Sequence, residues 1–151
     1  MKTGKIINQI SSRLRRRSKK AQESIGISGA KSSVLNYILI ASENHPVYQK
    51  EIEKEFGMRP STATEALKSL EEDGLIKRVP EERDARYKRL MFTDKADAVK
   101  DVIREEIRGT EQLLLKGITE EELNEFMRIA GKMLANLEED EKEREEREKR
   151  R

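Results

Sequence analysis

The chain has 151 residues, 41% of them charged and 34% hydrophobic, with a net charge of +2. The length suits one domain of ordinary size, but a charged fraction far above the ~25% of typical globular chains predicts a thin core, part of it completed by a second copy. The absence of cysteine, a single histidine (His45) and a longest apolar run of only Tyr37–Ala41 exclude disulfides, thiolate or multi-histidine metal sites, a cysteine nucleophile and a membrane span, so a cytoplasmic protein is expected.

Charge is unevenly spread. Residues 1–31 hold nine Lys and Arg against one Glu, whereas the last fourteen residues, 138–151, are all charged, eight acidic and six basic. A basic front and an acidic rear point to an anionic partner.

Ile6, Ile7, Ile10 and Leu14 recur at helical spacing among basic residues of the run Arg13–Lys20. This predicts an amphipathic first helix ending near Ser24, before the Ile25-Gly26-Ile27 break. Ser28 suits the N-cap of a second helix bearing Val34, Leu35, Ile38 and Leu39, which Pro46 brings to a close. Gln49–Phe56 then reads as a short helix with Ile52 and Phe56 inward and Gly57 as its left-handed C-cap. Pro60 opens the next helix, where a first helical position tolerates it. Ala63, Ala66, Leu67 and Leu70 form its buried face, and Gly74 ends it. Two short helices joined by a short Gly-containing turn make a helix-turn-helix.

The period then changes. Leu75–Val79 and Tyr87–Phe92 are strand-length and rich in branched and aromatic residues, and the polar stretch Pro80–Arg86 between them predicts a β-hairpin with a long tip, a wing. Thr93 suits the N-cap of a long helix with Asp94 in its first turn. Val99, Val102, Ile103, Ile107 and Leu114 are its apolar stripe, and Gly117 stops it. Thr119 with Glu122 is a capping box, and Ile118 with Leu123 a hydrophobic staple, for the last helix. There Leu123, Phe126, Ala130, Met133 and Leu137 step 3, 4, 3, 4, a heptad seam that asks for a partner helix. The all-charged terminus either extends this helix on i,i+4 pairs such as Glu138–Lys142 or frays.

Two segments carry a family resemblance. Arg59-Pro60-Ser61-Thr62-Ala63-Thr64, followed by Leu67, Leu70 and Glu71-Glu72-Asp73-Gly74-Leu75-Ile76, is similar to the recognition helix of the MarR family of winged-helix transcription regulators. Asp84-Ala85-Arg86, with Leu90 and Thr93 beyond, resembles the D-x-R wing signature of the same family. Glu65 stands where many members have a basic residue, Arg59 stands at the cap where Ser or Asp is usual, and Lys95-Ala96 replaces a common Lys-Gly. The expected architecture is mainly α with a small β-hairpin: a winged helix-turn-helix at 32–93, flanked by long dimerisation helices at 1–31 and 94–137, with a charged tail at 138–151.

The resemblance implies a DNA-binding regulator, expected to be a repressor, acting as a homodimer on a pseudo-palindromic site in double-stranded DNA. A recognition helix offers its N-terminal residues to base edges in the major groove. Ser61, Thr62, Thr64, Glu65, Lys68 and Ser69 should face outward, with base choice resting on Thr62, Glu65 and Arg59. Short hydroxyls and Lys68 suit phosphate contacts that position rather than specify. Arg83, Arg86 and Lys88 make the wing basic, and narrow minor grooves attract arginine. By resemblance, Arg86 enters the groove while Asp84 holds its guanidinium; taken alone, the two read as an exposed ion pair of ~0–1 kcal/mol.

The run Arg13–Lys20 reads either as a solvated helix face or as a contact to flanking phosphates. Ile6, Ile10 and the seam residues are the expected dimer contacts. The resemblance also implies a small aromatic or anionic effector, for which Tyr37, His45 and Tyr48 are candidate contacts. Met127 and Met133 read as seam packing. No cofactor or metal is expected, and no nucleophile–base pair or phosphate loop suggests an enzyme. The competing readings are an architectural or RNA-associated winged-helix protein and a protein–protein adaptor.

Overall fold

The computed structural model describes residues 2–151. It is mostly helical with one antiparallel hairpin, in the order α1 (Thr3–Ile25), α2 (Gly29–Ala41), α3 (Gln49–Phe56), α4 (Pro60–Glu72), β1 (Ile76–Pro80), β2 (Lys88–Phe92), a 3₁₀ turn (Asp94–Ala96), α5 (Asp97–Leu114) and α6 (Glu120–Lys149). The chain divides into two compact units, one ending at Thr110 and one spanning Glu111–Arg151.

In the first unit, the core runs from Ile27 to Ile103. Leu35 and Ile38 of α2, Ile52 of α3, Leu67 and Leu70 of α4, and Leu90 of β2 are fully buried. Gly57 takes φ 59°, and Met58 N–H bonds to the Glu53 carbonyl at 2.9 Å, closing α3 as the sequence predicts. Pro60 occupies the first turn of α4. Of the predicted inward residues of α4, Ala63, Leu67 and Leu70 are buried and Ala66 is half-buried, while Ser69, expected outward, is also half-buried.

The hairpin pairs Ile76 with Phe92 through to Pro80 with Lys88. A further bridge joins Leu90 to Val47, just before α3, with the Leu90 N–H donating to the Val47 carbonyl at 2.8 Å. The wing is thereby fastened to the start of the helix-turn-helix.

Four local expectations differ from the structure. Leu75 is not yet strand: Gly74 at φ 75° and a bond from Leu75 N–H to the Leu70 carbonyl make it part of the α4 terminus. Ser28 stands at the N-cap of α2 without a side-chain capping bond. That helix also stops at Ala41, and a turn precedes Pro46. Thr93 does not cap either; its hydroxyl donates to the Gly74 carbonyl at 2.6 Å, and a 3₁₀ turn leads into α5. The Thr93 hydroxyl is thus spent on joining the end of α4 to the end of the wing.

The second unit begins within α5, whose Leu113 and Leu114 are exposed. Its main element is α6, which starts with the complete capping box: Glu122 N–H donates to Thr119 Oγ1 at 3.1 Å, and Thr119 N–H donates to Glu122 Oε1 at 3.0 Å. This bond from the Thr119 N–H holds the Glu122 carboxyl below its ordinary range. The charged terminus extends the helix to Lys149, with ion pairs Arg144–Asp140 at 2.9 Å and Arg147–Glu143 at 3.7 Å. None of the described helices is long and apolar enough to cross a membrane.

Candidate nucleic-acid interface

Burial of one face of α4 leaves the other to solvent. Arg59, Ser61, Thr62, Thr64, Glu65 and Lys68 are all exposed. They differ in how much bonding capacity remains. The Thr64 hydroxyl donates to the Pro60 carbonyl at 2.8 Å and accepts from Gln49 Nε2 at 2.9 Å, so it is engaged within the protein.

The wing tip is shaped by one carboxylate. Asp84 Oδ1 accepts from the Arg86 backbone N–H at 3.1 Å and from its Nε at 3.0 Å, while Oδ2 accepts from an Arg86 terminal nitrogen at 2.8 Å. The first bond is the local turn that Asp favours; the other two fix a guanidinium whose side chain is 88% exposed. Bonds from Arg86 hold the Asp84 carboxyl below its ordinary range, and Asp84 in turn raises Arg86. Arg86 is presented outward with donors to spare. Arg83 and Lys88 are exposed beside it.

Between the start of α3 and the wing lies an open cleft of about 780 Å³, lined by Tyr48, Gln49, Lys50, Glu51, Arg78, Arg86, Tyr87 and Lys88. Of its four cations, Arg78 is paired with Glu71 and Arg86 with Asp84, so Lys50 and Lys88 carry most of the attraction for an anionic ligand such as a phosphate backbone. Neither Lys50 nor Arg78 stands out in the sequence. Lys50 sits on a short helix whose pattern is explained by Ile52 and Phe56, and Arg78 is one polar residue of a strand.

The remaining candidates are scattered. The Tyr37 hydroxyl donates to Glu51 Oε2 at 3.0 Å, and His45 Nδ1 lies 3.7 Å from the same oxygen and 2.9 Å from the Pro46 carbonyl. Burial first, then this bond to Glu51, raises the Tyr37 phenol. Tyr48 instead donates to Glu81 Oε1 at 2.9 Å, which raises its phenol, and meets Tyr87 edge-on at 6.2 Å. The three residues do not converge on one cavity. A separate cavity of about 480 Å³ lies among α1, α2 and α5; Leu14, Ile25 and Val102 give it apolar walls, and Ser11, Ser18, Ser32, Asn36, Arg15 and Glu106 give it polar ones.

On α1, Arg15 folds back onto Ser11 at 2.7 Å, and Arg17 Nε donates to Thr110 at 3.4 Å; Arg16, Lys19 and Lys20 are exposed. Ile6 and Ile10 are 40% and 46% exposed. On α6, Phe126 and Leu137 are exposed, while Leu123, Ala130 and Met133 are half-buried.

Comparison with known proteins matches these features. A family model described as MarR family covers residues 25–86, from the end of α1 to the wing tip. The chain is 28% identical over 104 residues to the uncharacterized HTH-type transcriptional regulator YybA of Bacillus subtilis (strain 168), covering 69% of each chain. It also resembles the crystal structure of transcriptional regulator PA3341, with 28% identity and a TM-score of 0.77 over 91% of this chain and 99% of that one. The S. aureus MepR–DNA complex has the same fold, at 22% identity and a TM-score of 0.74 over 90% of this chain and 98% of the other.

Proposed function

The chain belongs to the MarR family of transcriptional regulators, and from that premise we propose that it is a sequence-specific DNA-binding repressor acting as a homodimer. The observation that carries this reading is the pairing of an exposed α4 face with a wing whose Asp84 holds Arg86 outward. The α4 face is offered to the major groove, with Thr62, Glu65 and Arg59 reading base edges. Glu65 suits a cytosine amino group. Arg86 is offered to the adjacent minor groove, and Lys50 and Lys88 of the basic cleft to the phosphates between them.

Apolar stripes exposed on α1 and on α6 support assembly with a second copy, since isolated surfaces of this kind favour burial. We place a small-molecule effector in the α1–α2–α5 cavity, whose volume is within the range of ligand sites. Tyr37, His45 and Tyr48 are engaged with Glu51, Pro46 and Glu81, so they are weaker effector contacts. No chemistry is assigned to the site, and the cytoplasm is the expected location of a DNA-bound regulator.

Selection of bound genomic fragments by the purified protein tests the reading. Enrichment of a pseudo-palindrome with half-sites ~10 bp apart is expected. Enrichment without sequence preference would favour the architectural alternative, and no salt-dependent binding at all would favour an adaptor.

A further inference from the structure

The recognition helix is held from both ends by one chain of side-chain bonds that passes through the wing. At its start, Gln49 Nε2 donates to Thr64 Oγ1 at 2.9 Å and to the Pro60 carbonyl at 3.4 Å. On the other side of the same amide, Gln49 Oε1 accepts from Arg78 of β1 at 3.3 Å. Arg78 Nε then donates to Glu71 Oε1, in the last turn of α4, at 2.5 Å. Gln49 is half-buried, and the Arg78 side chain is 26% exposed.

The amide has one satisfactory orientation. Turned over, its NH₂ would face the Arg78 guanidinium and its oxygen the Pro60 carbonyl. The start of α4 also lacks a cap, because Arg59 makes no side-chain capping bond there. Gln49 does not replace that cap, since it donates to the Pro60 carbonyl and the Thr64 hydroxyl rather than accepting from a first-turn N–H; it tethers the uncapped turn to α3 instead.

Resting on the DNA-binding reading above, we infer that Gln49 is a positioning residue for operator discrimination: it locks the register of the α4 N-terminus to the wing strand, so that base-edge and minor-groove contacts are made together. Gln49 itself need touch no base. Discrimination depends on placing Thr62 and Glu65 to within a fraction of an ångström, whereas phosphate attraction tolerates looser geometry.

The experiment compares the wild-type dimer with Gln49→Leu, Thr64→Val and the double variant. Leu fills the space without the amide's bonds, and Val keeps the shape of Thr without the hydroxyl. The probes are a duplex selected by the wild-type protein from a randomised pool and the same duplex scrambled. Affinity of Gln49→Leu for the selected duplex is expected to fall roughly five- to tenfold, with scrambled affinity and salt slope unchanged. The double variant should be no worse than Gln49→Leu, since both break one chain. Amide exchange, which needs no DNA, should quicken at Ala63–Ala66 while the thermal midpoint holds.

Equal losses on selected and scrambled DNA would overturn the inference and make Gln49 an ordinary phosphate contact. Unchanged exchange at Ala63–Ala66 would overturn it too, by showing no strap. If the wild-type protein prefers no selected duplex, the DNA reading itself fails; quickened exchange would then leave the chain of bonds purely structural and the inference overturned.

Discussion

Helices α4 and α6 are stabilised by opposite means. α4 buries three residues in 13 and is tied to α3 and β1 by side-chain bonds, whereas α6 runs for 30 residues with none buried and leaves Phe126, Leu134 and Leu137 at least 60% exposed. α6 draws its helicity from its own sequence: a capping box, the pair Arg128–Glu125, and charged pairs along its last turns. A helix set by long-range contacts has its position decided by the fold. One set by local contacts has its conformation decided and its placement left to whatever covers it.

Three substitutions in these two helices, and one in the wing beside α4, test the contrast. Leu67→Ala, in the buried face of α4, should lower stability by about 2–5 kcal/mol, read as a shifted denaturation midpoint at constant m. A loss under about 1 kcal/mol would mean α4 is less dependent on the core than its burial indicates. Phe126→Glu should leave the fold standing but weaken self-association about a hundredfold, or ~2.7 kcal/mol; sedimentation at several concentrations decides, and unaltered assembly would remove the α6 stripe from the interface.

Arg86→Ala should weaken operator binding at least about tenfold, ~1.4 kcal/mol, with circular dichroism unchanged. The ion pair behind it should be insensitive to pH near neutrality. Because Asp84 is depressed in the folded chain, its contribution is complete above the ordinary aspartate range and is lost only as pH falls through the lower folded value. A binding midpoint near neutral pH would therefore implicate another group. Thr119→Ala should cost α6 only about 1 kcal/mol, seen as faster exchange in its first turn with little change in the first unit.

The same division explains what could be read in advance. The limits of α3 and α4 were legible because Gly57 and Pro60 have local conformational reasons to stand where they do, and the capping box because its partners are three residues apart. The Asp84–Arg86 turn was legible for the same reason. Gln49, Thr64, Arg78 and Glu71 meet only after β1 has folded back beside α4, so no periodicity announces their bonds. Thr93 illustrates the conflict directly: a good local N-cap, its hydroxyl goes to the Gly74 carbonyl, 19 residues away in sequence. Tyr37, His45 and Tyr48 were suggestive as residue types, but the carboxylates that engage them lie on other elements. The cavity among α1, α2 and α5 was invisible because a void has no sequence signature.

The bridge between Val47 and Leu90 bears on solubility as well as on posture. A projecting two-stranded ribbon offers two open edges, each a template for another chain's strand. Here the Leu90 N–H on the outer side of β2 already meets the Val47 carbonyl. β1 carries Lys77 and Arg78 and ends in Pro80, which has no N–H to offer. The protein can hold a hairpin out into solvent without the wing of one copy adding to that of another edge to edge.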